Sequence, residues 1–91
     1  MSNKYNWHNE NLKNDYIIVS RNVVDDTDIS IQSKGFYTIL SAEVNEDGKC
    51  LISLNELKNL SNRSTSQVTA YIRELKGKGY LEKTGRLVSL R

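Results

Sequence analysis

Residues 53–81 read SLNELKNLSNRSTSQVTAYIRELKGKGYL and carry two helix start signals in succession. Ser53-x-x-Glu56 and Ser64-x-x-Gln67 are capping boxes. In each, the serine oxygen accepts from an orphan amide of the first turn, and the side chain three residues on reaches back to the cap amide. Behind each box the apolar residues fall on one face. Leu54, Leu57 and Leu60 line the first segment, and Val68, Tyr71, Ile72 and Leu75, at i, i+3, i+4 and i+7, line the second. This spacing predicts two amphipathic helices joined by a four-residue turn, the grammar of a helix-turn-helix. Packing on these stripes would leave Thr65, Ser66, Thr69, Ala70, Arg73 and Lys76 in solvent as a ridge, the shape that enters a DNA major groove.

Beyond Leu75 the pattern changes. Gly77 and Gly79 can end the helix through a residue with positive φ, and two short apolar runs, 80–83 and 86–90, then flank Thr84-Gly85. Gly85 supplies the left-handed conformation of a tight loop with a bulge. A hairpin directly after the second motif helix is a wing, with Lys83, Thr84 and Arg86 at its tip to reach a phosphate backbone beside the groove.

Charge follows the same division. The whole chain carries only +2, yet from Lys58 onward eight basic residues face two acidic ones, a net of +6, while residues 1–57 carry five against nine, a net of −4. Positive charge thus gathers on the second helix and the hairpin, where phosphate binding would need it. For any single lysine a solvated surface role is a sufficient explanation.

At 91 residues the chain has the length of one small domain, and an apolar share of 37% suffices for a modest core. No run approaches the roughly 20 apolar residues of a membrane span, and MSNKYNWHNE lacks the apolar segment of a secretory signal, so a cytoplasmic protein is expected. Cys50 is the single cysteine, which excludes an intrachain disulfide, a zinc finger or a redox pair and favours a buried small hydrophobe. Residues 1–15, with five asparagines, read as a flexible arm preceding a domain over 16–91. Within the arm Trp7 is expected to dock on the domain or on a second copy, joined by Tyr5, Leu12 and Tyr16; monomer and homodimer both stay open. Residues 16–20, YIIVS, predict a strand, Asp25-Asp26-Thr27-Asp28 a turn, and Ser30 the cap of a helix over 31–44 that buries Phe36, Ile39, Leu40 and Val44. Asn45-Glu46-Asp47-Gly48 reads as a turn and 49–52 as a strand.

The resulting order is α+β: three helices, a small sheet and a C-terminal hairpin, a winged helix-turn-helix with one additional first strand. ISIQSKGFYTILSA followed by ISLNELKNLSNRSTSQVTAYIRELKGKGYLEK resembles the N-terminal winged-helix domain of phage and plasmid replisome organisers and the related DnaD-type replication proteins. The likeness spans about residues 16–90 and rests on apolar spacing, with Ile29-Ser30-x-x-x-Lys34-Gly35, Ser64-x-x-x-Val68 and Leu75-x-x-x-Gly79-Tyr80-Leu81 as its marks. It implies double-stranded DNA binding at an origin or operator, in replication initiation or transcription control. Where related helices carry Arg or Lys, this chain has Ser66 and Ala70, which implies weak base readout. Arg63 stands where an apolar residue is usual, either a phosphate contact or an exposed turn residue.

The expected DNA-contacting set is therefore Arg63, Ser64, Thr65, Ser66, Thr69, Arg73, Lys76, Lys83, Thr84 and Arg86. The rival reading is a protein-interaction module that uses the same fold to hold a replication or regulatory protein. His8 has no Cys or Asp neighbour, and the Asp25, Asp26 and Asp28 group lacks the glycine and distal glutamate of a calcium loop. Interaction with the following helix N-terminus accounts for those aspartates. No phosphate loop, nucleophile elbow or spaced carboxylate pair occurs, so no enzyme, metal or cofactor is expected.

Overall fold

Both capping boxes form. In the computed structural model, which describes residues 16–91, the Ser53 Oγ accepts from the Glu56 amide at 3.1 Å while the Glu56 carboxylate accepts from the Ser53 amide at 3.0 Å. Ser64 and Gln67 repeat the exchange at 3.2 and 3.0 Å. They open α3 (Leu54–Ser61) and α4 (Thr65–Gly77). The turn between them is three residues, one fewer than the spacing predicts, because Asn62 takes the left-handed conformation at φ 55° and lets the chain reverse at once. Earlier in the chain stand α1 (Arg21–Asp25), α2 (Ile31–Glu43) and β1 (Lys49–Leu51). Ser30 caps α2 as expected, its Oγ accepting from the Ser33 amide at 3.1 Å.

Gly79, at φ +80°, ends α4. Its amide donates to the Lys76 carbonyl and the Tyr80 amide to the Leu75 carbonyl, both at 3.0 Å, the paired bonds of a Schellman motif. Gly77 stays helical. The released chain forms β2 (Leu81–Thr84) and β3 (Leu87–Leu90), antiparallel in unbroken register from Leu81↔Leu90 to Thr84↔Leu87. No bulge is present: Gly85 at φ +60° and Arg86 make a two-residue loop, with glycine in the first central position as a type II′ turn requires. β1 adds to the far side of β3, giving the order β1-β3-β2.

Four helices and the sheet close on one core of Leu40, Ile52, Leu57, Val68, Leu75, Leu81 and Val88, with Phe36 and Tyr37 on α2 and Val23 from α1. The Phe36 and Tyr71 rings meet at 5.6 Å between centroids. The stripes are narrower than periodicity predicts. On α3 only Leu57 is buried, and Leu54 and Leu60 are exposed; on α4 Val68 and Leu75 are buried while Tyr71 and Ile72 are half-covered. α2 buries Ser33, Phe36, Tyr37 and Leu40, leaving Ile39 and Val44 at its margin.

The expected strand over 16–20 is absent. YIIVS is irregular, and the Ser20 carbonyl accepts from the amides of Val23 and Val24, each at 3.2 Å, to start α1 instead. Strand preference describes side chains suited to a pleated surface, and among the described residues this segment pairs with none of the three strands. The architecture among the described residues is thus α+β with four helices and a three-stranded antiparallel sheet. Cys50 is half-buried; burial, then the nearby Glu43, pushes its thiol above the ordinary range. The expectations for residues 1–15, Trp7 and His8 among them, lie outside the described residues.

Candidate nucleic-acid interface

The outer face of α4 emerges as its periodicity predicts. Thr65, Ser66, Thr69, Ala70, Arg73 and Lys76 are all exposed, on the side of the helix away from buried Val68 and Leu75. Ser66, Ala70 and Arg73 point most directly outward at 100° per residue, and Thr69, Arg73 and Lys76 border a shallow open hollow floored by Ile72. Arg73 and Lys76 have no ion-pair partner among the described residues. Arg63 is exposed in the turn before α4, where its Nη1 donates to the Asn62 carbonyl at 3.2 Å. Ser64 is exposed too, but its oxygen is committed to the helix cap.

The hairpin tip is more constrained than a free finger. The Arg86 carbonyl accepts from the Ile52 amide at 2.7 Å, which ties the turn to the residue before the α3 cap. The Arg86 guanidinium lies 3.6 Å from the Glu56 carboxylate, and the Lys83 ammonium donates to the Gly85 carbonyl at 2.6 Å. Lys83 shares the inner side of the sheet with Cys50 and Val88 in register and is half-buried, so the ammonium does not project freely as the sequence suggests. Thr84 is exposed at the end of β2.

Two polar joints hold α4 in place, and neither was visible in the local sequence. The Glu74 carboxylate receives the Ser33 hydroxyl, the Ser30 hydroxyl at 3.0 Å and the Ser30 amide at 3.1 Å, so a residue of α4 caps the start of α2. These donors hold its pKa below the usual 4.5, the Ser33 hydroxyl contributing most. Past the end of α4, Lys78 lies 3.2 Å from Asp28 and 3.3 Å from Asp26, and Tyr80 donates to Asp26 at 2.6 Å. The aspartates expected to serve the α2 N-terminus thus engage the end of α4, while Glu74 takes the place at α2. The Tyr80 hydroxyl, ahead of Lys78, lowers the pKa of Asp26, and Asp28 followed by Asp26 raises that of Lys78.

These shifts fix a pH dependence. Glu74, Asp26 and Glu56 all have lowered folded-state pKa values, so their stabilisation is complete above the unfolded values and is lost as pH falls through the folded ones. Lys78 is raised, so its contribution is present below its unfolded value and is lost as pH rises through the folded one. Thermal stability is therefore expected to decline as pH falls below the ordinary carboxylate range, with Glu74→Gln reducing that acid loss. A melting temperature constant from about pH 5 to 3 would contradict the Glu74 joint.

Among the described residues no helix is long and apolar enough to cross a membrane, and no three metal-ligating side chains gather. Comparison with protein-family models, curated proteins and solved structures finds no match.

Proposed function

We propose that the chain is a winged-helix protein of mobile-element type that binds double-stranded DNA in the cytoplasm, in replication initiation or transcription control, with α4 in the major groove. The observation that carries this reading is the α4 face, where exposed Arg73 and Lys76, without ion-pair partners among the described residues, stand beside small residues. Ser66 and Ala70 let the helix backbone approach base edges closely but supply no guanidinium. Affinity then comes from phosphates through Arg63, Lys76 and the hairpin, and discrimination is modest. With about four phosphate contacts, binding to a random duplex should weaken roughly 100-fold between about 50 and 200 mM salt. Fluorescence anisotropy with a labelled duplex reads this directly, and the absence of binding at the lower salt would end the proposal.

The competing reading, a protein-interaction module, has one observation in its favour. Leu51 and Leu87 are register partners on the outer side of the sheet and both are exposed, at 74% and 40%. Saturable binding of a replication or regulatory protein by a chain that ignores duplex DNA would favour it.

A further inference from the structure

Glu56 occupies two positions at once. Its Oε1 accepts from the Ser53 amide at 3.0 Å as the return half of the α3 capping box, and the same atom faces the Arg86 guanidinium at 3.6 Å. Both side chains are largely exposed. A separation of 3.6 Å exceeds that of a charge-assisted hydrogen bond, so the pair is held by charge and not by a bidentate clamp. Meanwhile the Arg86 carbonyl is fixed by the Ile52 amide at 2.7 Å, so the guanidinium can turn away without the hairpin moving.

We infer that Glu56 is an internal competitor for Arg86: the carboxylate mimics a backbone phosphate, holds the guanidinium against α3 in the unbound protein, and releases it when a nucleic-acid phosphate takes its place. This inference rests on the DNA-binding reading above. Its consequence is a constant reduction in affinity, since DNA must displace a carboxylate from Arg86 before that side chain contributes. Glu56 acts through Arg86 and is a positioning residue, not a DNA contact.

The chain itself provides a clean test. Its second capping box uses Gln67 where the first uses Glu56, so Glu56→Gln keeps the return hydrogen bond while removing the charge that holds Arg86. In the full chain, Glu56→Gln should melt within a few degrees of wild type and bind a random duplex about two- to five-fold more tightly, the range expected for releasing one surface ion pair. Removing any acidic residue near DNA could raise affinity, so Glu56→Gln is compared in the Arg86→Ala background. The competitor account predicts that the gain disappears there. A gain that persists without Arg86, or no gain in the wild-type background, overturns it while leaving DNA binding intact. If wild type fails to bind duplex at about 50 mM salt, the DNA-binding reading falls and takes this inference with it.

Discussion

Leu75→Ala is expected to cost about 2–5 kcal/mol, whereas Ile72→Ala should cost no more than about half as much. Leu75 is fully buried in the shared core and its carbonyl accepts the Tyr80 amide at the end of α4, so truncation leaves a cavity that helix, sheet and hairpin cannot all close. Ile72 lies at the core margin and floors the open hollow beside Arg73, where water already reaches it. In a domain of this size, one kcal/mol moves Tm by about 4–8 °C, so Leu75→Ala should lower it by at least about 8 °C. Thermal denaturation followed by circular dichroism compares the two variants. Equal losses would mean that α4 is rotated about its axis relative to this description, and the exposed face would have to be reassigned with it.

Arg73→Ala with Lys76→Ala is expected to have the largest effect on binding. Both side chains stand on the outer face of α4 without ion-pair partners among the described residues, so they can meet phosphate or base without first breaking a contact. Losing the Lys76 phosphate contact should reduce the slope of log affinity against log salt by about one, or by about two where Arg73 also meets phosphate, and weaken binding at about 50 mM salt by more than tenfold. Arg73→Ala alone separates its two possible roles. A bidentate bond to guanine predicts a loss of about 1–3 kcal/mol on the preferred site with little change on random DNA, while a phosphate contact predicts equal losses on both. An unaltered salt slope in the double variant would place the interface elsewhere. By comparison Lys83→Ala with Arg86→Ala should have a smaller effect, because Lys83 and Arg86 already satisfy Gly85 and Glu56.

The local chemistry was legible in the amino-acid sequence. Ser30, Ser53 and Ser64 cap the helices expected of them, because a cap and its amide lie within three residues of each other. The outward face of α4 followed from helical period alone. Periodicity overestimated burial, however: Leu54 and Leu60 fit the α3 stripe but stay exposed among the described residues, since only Leu57 faces the core. YIIVS failed as a strand although its composition is suitable, because it joins no ladder among the described residues. The contacts that determine the proposed interface were invisible because they link distant positions. Ser33 with Glu74, Asp26 with Tyr80 and Glu56 with Arg86 are each separated by 30 residues or more, and no local pattern pairs them. Glu56 was legible only as a cap, and the hairpin cations looked freer than they are.

The most direct test follows backbone amide resonances while an unlabelled random duplex is added at about 50 mM salt. Perturbations should concentrate on residues 63–76, with Ser66, Ala70 and Arg73 foremost, and extend to Gly85 and Arg86 at the hairpin turn. The outer side of the sheet around Leu51 and Leu87 should remain unchanged. Perturbations centred on Leu51 and Leu87, with the α4 face silent, would contradict DNA binding through α4.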